Sequence, residues 1–77
     1  MTTYDNYEFH SGETMTRWIQ RVRGRRLAHA MSGEVYTIMD LDWRYGEGGV
    51  HKVVKARNDS GEFRYFTYWE ARQLVET

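Results

Sequence analysis

Residues 33–43, GEVYTIMDLDW, alternate along an extended chain, with Val35, Thr37, Met39 and Leu41 on one side and Tyr36, Ile38 and Asp40 on the other. A period of two in β-branched and aromatic residues, opened by a glycine, predicts a strand. Residues 44–49, RYGEGG, hold three glycines in four positions and predict a flexible turn. Residues 50–57, VHKVVKAR, predict a second strand with Val50, Val54 and Ala56 on one face. NDSG at 58–61 has turn chemistry: Asn or Asp opens a type I turn, and Gly61 accepts the left-handed conformation. Residues 62–68, EFRYFTY, return as a third strand, with Phe63, Tyr65 and Thr67 opposed to Arg64 and Phe66. The tail WEARQLVE predicts one helical turn and a short closing strand at Leu74–Val75. The expected core is Trp18, Tyr36, Ile38, Val54, Phe63 and Tyr65.

Segment 14–24, TMTRWIQRVRG, supports two readings. On a helix, Met15, Trp18, Ile19 and Val22 fall at i, i+3, i+4 and i+7, within an arc of about 100°. On a strand, Trp18, Gln20 and Val22 share one face, and Arg17, Ile19, Arg21 and Arg23 the other. Periodicity favours the helix, and Gly24 keeps it short.

Four short motifs carry a resemblance: WIQRV from Trp18, GEVYTI at 33–38, NDSGEFRYF at 58–66 and YWEARQLVE at 68–76. In this order they resemble the small SH3-like barrel proteins of bacteria and their phages. The resemblance implies a five-stranded SH3-like β-barrel over 14–77, with a short helical turn near the C-terminus and 1–13 as an acidic N-terminal extension. It favours a strand at 16–22. The alternative is an α+β fold in which a helix over 14–30 packs on a three-stranded antiparallel sheet. The loop between WIQRV and GEVYTI is longer and more basic than the family pattern, and residues 1–13 have no counterpart in it. A fold of this kind implies no activity.

Composition narrows the function classes. The chain has 77 residues, no cysteine and no proline, so one domain must be held by apolar bulk without disulfides or thiolate–metal staples. Aromatic residues make up 16% of it and can supply that bulk. The N-terminus has neither a basic region nor an apolar run, and no stretch reaches the ~18 apolar residues of a membrane span. A cytoplasmic protein with no membrane association is expected, in the host cytoplasm if it is viral.

Net charge is zero but unevenly placed. Residues 1–13 carry Asp5, Glu8 and Glu13 with no cation, whereas 14–33 carry Arg17, Arg21, Arg23, Arg25 and Arg26 with no acid. Such a cluster suits phosphate or an acidic protein surface, or it is a solvated face neutralised by the acidic arm. A neutral chain is a poor general binder of nucleic acid, because that affinity follows the number of phosphates neutralised.

No constellation points to catalysis. His10, His29 and His51 lie far apart with no metal-ligand spacing, so no metal and no cofactor is expected. Asp40 and Asp42, two apart on a strand, suit a charged edge that discourages aggregation better than a Mg²⁺ site. GEGG precedes no helix, and no serine has a base placed beside it. Binding remains. The candidate residues are Arg21, Arg23, Arg25 and Arg26, with Trp43, Arg44 and Tyr45 on the turn and Tyr68 and Trp69 after the third strand. Aromatic and Arg side chains dominate interface energetics. The expected function is a non-enzymatic, phage-type accessory protein that binds, and inhibits, a host or viral protein through rim loops, as monomer or homodimer. The alternative is a small nucleic-acid binder using 17–26, with Trp43 or Tyr45 as stacking platforms.

Overall fold

The computed structural model describes residues 8–76. The elements run α1 (Met15–Val22), β1 (Arg26–His29), β2 (Val35–Gly46), β3 (Gly49–Asn58), β4 (Phe63–Phe66), α2 (Tyr68–Ala71) and β5 (Leu74–Glu76). The five strands form one antiparallel sheet in the order β4-β3-β2-β1-β5. The fold is mainly β, as expected. The sheet is not closed, however, and β4 and β5 are its two edges.

The expected strand at 16–22 is helix α1. Thr14 caps it by accepting a hydrogen bond from the Arg17 N–H, and Trp18, Ile19 and Val22 are all buried. A strand would have put Ile19 opposite Trp18 and Val22, whereas the helical spacing sends all three into one core. The helix also ends far short of residue 30. Gly24, at φ 82°, reverses the chain, and its N–H donates to the Ile38 carbonyl across 2.7 Å. The first strand of the sheet is therefore β1, from the stretch expected to be loop.

Strand β2 carries a bulge. Ile38 pairs with Ala56 and Asp40 with Lys55, so Met39 is an extra residue and the alternation shifts by one. Leu41 consequently leaves the Val35–Thr37 side and packs against the core with Tyr36 and Ile38. The flexible turn expected at 44–49 shrinks to Glu47–Gly48, because β2 continues to Gly46 and β3 starts at Gly49.

At the other end of β3, the predicted turn forms, with Gly61 at φ 89°. Asn58 organises it. Its buried side-chain oxygen accepts from the N–H groups of Ser60 and Glu62, and its main-chain N–H donates to the Glu62 carbonyl. The resulting register puts Phe63 opposite Arg57 and Phe66 opposite Val54. Phe66 is therefore the buried ring of β4, set edge-on to Tyr36 at 5.1 Å, while Phe63 is 47% exposed and Tyr65 half-buried. Phe63 and Tyr65 were expected inside. They face outward under Lys55 and Arg44, whose cationic groups lie 4.3 and 4.0 Å from the ring centroids. Trp18, Tyr36, Ile38 and Val54 are core as expected.

Thr67 turns the chain out of β4. Its side chain and that of Glu70 form a reciprocal capping box at the start of α2, after which Leu74 closes the core from β5. Residues 8–13 lie against this body: Phe9 stacks on Trp18 at 4.4 Å and meets Tyr68 edge-on at 5.1 Å.

Candidate binding surface

Beyond the core, β2 and β3 continue as a two-stranded ribbon in which residues 43–52 are all exposed. Directly opposed residues of an antiparallel pair share a face, and that face repeats every second residue. Leu41 pairs with Val54 in the core, then Trp43 with Lys52 and Tyr45 with Val50. The core-facing stripe thus runs past the end of its cover into solvent. Trp43 is 61% exposed, Tyr45 87% and Val50 50%. On the same face, the Lys52 ammonium lies 5.5 Å from the Trp43 ring and donates to the Thr16 hydroxyl at the start of α1.

A groove of about 530 Å³ separates the β3 side of the ribbon from α2. Gly46, Glu47, His51 and Lys52 line one wall, and Thr67, Tyr68 and Trp69 the other. Trp69 is 71% exposed, and Arg72 stands over both aromatic rings of this wall at 5.6 and 5.8 Å.

The two edges of the ribbon differ. On β2 the Leu41 N–H donates to its neighbour Asp40 and the Trp43 N–H to Asp42, each across 2.8 Å. These carboxylates satisfy and charge the β2 edge, the role expected for them. The hydrogen bond from Leu41 holds the Asp40 carboxyl below its ordinary value, with the nearby Arg23 adding to the effect. On the other side β4 ends opposite Val54, so among the described residues no strand pairs with this edge of β3 from Gly49 to Val53.

Three arginines of the cluster are paired with carboxylates. Arg21 reaches back to Glu13 through two donors at 2.8 and 2.9 Å, Arg23 meets Asp40, and Arg26 meets Asp59. The Glu13 carboxylate is the best-held of these acids, its side chain 9% exposed. The bonds from Arg21, with a further one from the His10 N–H, keep its carboxyl below the ordinary value of 4.5 despite burial. Arg25 is exposed just before β1. The sequence-predicted residues therefore separate into two groups. Trp43 and Tyr45 lie together on the ribbon face, with Tyr68 and Trp69 across the groove. Arg44 points to the opposite face over Tyr65, and Arg21, Arg23, Arg25 and Arg26 lie around the end of α1 and the start of β1. Sequence reasoning missed Val50 and Lys52, which join the surface only through their pairing with Tyr45 and Trp43.

A smaller polar pocket of about 260 Å³ lies near the β4 edge, between His29, Glu34, Tyr36, Arg64 and Glu70. The Tyr36 hydroxyl donates to Glu34 across 2.6 Å; that bond lowers the Glu34 carboxyl, while burial, aided by Glu34, raises the Tyr36 hydroxyl. His29 Nδ1 accepts from the Met31 and Ser32 N–H groups, and Glu70 is held in its capping box. Glu34 is further engaged by Arg64 at 3.9 Å and by the Asn58 amide at 3.5 Å, so the polar groups of the pocket already have partners within the protein. Among the described residues, no three His, Asp or Glu side chains converge as metal ligands, and no helix is long and apolar enough to cross a membrane.

Comparison of the chain with protein-family models, with curated proteins and with solved structures finds no match.

Proposed function

We propose that the chain is a small non-enzymatic interaction module that binds another protein through the ribbon face carrying Trp43, Tyr45 and Val50. The observation behind this reading is the continuation of a core-facing stripe into solvent without a cover. A lone exposed apolar residue needs no explanation, but contiguous ones mark interaction surfaces. At the ~150–250 Å² an aromatic side chain buries, Trp43 and Tyr45 together offer about 400 Å², roughly half of one partner's share of a standard interface. Trp69 and the groove extend the surface toward the rest.

The proposal includes an SH3-like fold, for which the strand order and the helical turn before β5 are the support. It also includes a phage-accessory role, binding and inhibiting a host or viral protein. The nucleic-acid alternative rests on the arginines of 17–26, and the ion pairs of Arg21, Arg23 and Arg26 with carboxylates weigh against it. The test is capture from nuclease-treated bacterial lysate by the wild-type chain and by a Trp43→Ala/Tyr45→Ala variant. A protein retained after nuclease and lost with the variant supports the reading. Binding that disappears with nuclease, or that the variant retains, overturns it.

A further inference from the structure

Resting on the protein-binding reading of the ribbon, we propose that the partner engages it as an extended acidic segment that adds a strand to the open edge of β3. Three independent features of this edge converge. The first is main-chain polarity. The N–H groups of Leu41 and Trp43 point away from β3, because they are bonded to Asp40 and Asp42. In an antiparallel ladder such residues form the non-hydrogen-bonded pairs, so their partners Val54 and Lys52 also turn their N–H and C=O groups away from β2. Val50, two residues on, does the same. The outward groups of Val54 meet Phe66 of β4, whereas Val50 and Lys52 lie beyond the end of that strand.

The second feature is space. Thr67 diverts the chain into α2 where β4 would have continued, and the groove occupies the resulting gap between Lys52 and Trp69. A guest strand in line with β4 fills it. Its alternate side chains would fall toward the Trp43–Tyr45–Val50 face, which makes the edge and the face one surface.

The third feature is charge. Lys52 lines the groove and Arg72 stands over the Tyr68 and Trp69 rings of its other wall, and neither has a carboxylate partner among the described residues. Glu47 lies at the turn end of the same groove. Carboxylates on the guest are therefore favoured beside Lys52 and Arg72 and disfavoured beside Glu47, which gives the segment a polarity. The contrast with β2 is informative. One edge of the ribbon is closed by acidic side chains and the other is left open, and strand addition uses main-chain bonds for affinity and alternate side chains for specificity.

The test selects random peptides, displayed on phage, against the full chain and synthesises those recovered. Binding is then measured to the wild-type chain and to Val50→Pro, which removes an N–H that the β2–β3 ladder does not use and keeps an apolar side chain. Amide exchange of the wild-type complex supplies a second readout that depends on no variant. The expected result is peptides enriched in Asp and Glu, weakened at least about tenfold by Val50→Pro, with exchange at Val50 and Lys52 slowed by a similar factor. Recovery of no peptide, absence of acidic enrichment, or unchanged exchange at Val50 and Lys52 overturns the proposal. Peptides lost with Trp43→Ala but retained by Val50→Pro overturn strand addition and leave the ribbon face as a binding surface. A wild-type dimer that Val50→Pro dissociates assigns the edge to a second copy, and tighter binding of oligothymidylate there than of any peptide assigns it to nucleic acid. Either result overturns the proposal.

Discussion

Phe63 and Phe66 lie three residues apart in the same four-residue strand, and truncating each to alanine should have very different consequences. Phe66 is 5% exposed and set edge-on to Tyr36, so Phe66→Ala removes close to a whole ring from the core and leaves a cavity. At ~25 cal/mol per Å² over roughly 150–200 Å², the lost burial alone is about 4–5 kcal/mol. Measured Phe→Ala substitutions in cores cost about 3–5 kcal/mol. A domain of this length holds about 4–12 kcal/mol in all, so Phe66→Ala removes from about a third to all of its stability. Phe63 is 47% exposed, its removal opens no cavity, and it loses half a ring of burial and the contact with Lys55. A cost of about 2–3 kcal/mol follows. Urea unfolding followed by tryptophan fluorescence measures both, and the milder pair Phe66→Leu and Phe63→Leu, with the larger loss expected at 66, keeps the comparison quantitative if Phe66→Ala does not fold. Equal losses at the two positions, or the larger loss at Phe63, would refute the register set by Asn58.

The remaining expectations are simpler. Gly61→Ala should cost about 1 kcal/mol by backbone strain alone, since no atom lies within 4 Å of an added Cβ, and an unchanged melting temperature would contradict it. Tyr45→Ala should shift stability by no more than about 0.5 kcal/mol, and a larger loss in urea unfolding would assign it to the core. Trp43, 61% exposed, should lose about 1–2 kcal/mol on truncation, less than Phe66. Glu13→Gln should destabilise by about 1 kcal/mol at neutral pH. Because folding lowers the Glu13 carboxyl, this stabilisation is present above pH 4.5 and disappears as pH falls through the lowered value. Wild type and variant should therefore converge in acid, and a constant gap down to pH 2 would refute the pairing.

Much of the second half was legible because its turn chemistry is local. Gly61, the helical turn before Leu74 and the strands around 35 and 54 lie where alternation and glycine placement predict them. The two strand faces that differ from expectation share a cause: single residues set the parity. Met39 bulges and moves Leu41 across the sheet, and Asn58 fixes the pairing that turns Phe66 inward and Phe63 out. At 15–22 the helical period was the better guide, and the resemblance diverted it toward a strand. For the surface, Trp43 and Tyr45 could be named as an aromatic pair on sight. Val50 and Lys52 could not, because their place beside that pair depends on a ribbon with a two-residue turn, and RYGEGG reads as a longer one. The acids that pair with Arg21, Arg23 and Arg26 come from residues 13, 40 and 59, which folding alone brings to them.

Photo-crosslinking tests the central claim most directly. Benzoylphenylalanine in place of Tyr45 puts a reactive ring on the ribbon face, and the same group in place of Met31, 83% exposed in the β1–β2 loop, is the control. In nuclease-treated lysate, position 45 should give a discrete protein adduct and position 31 none. Equal labelling from both positions, or an adduct at 45 that vanishes after nuclease, would contradict a protein-binding face on the ribbon.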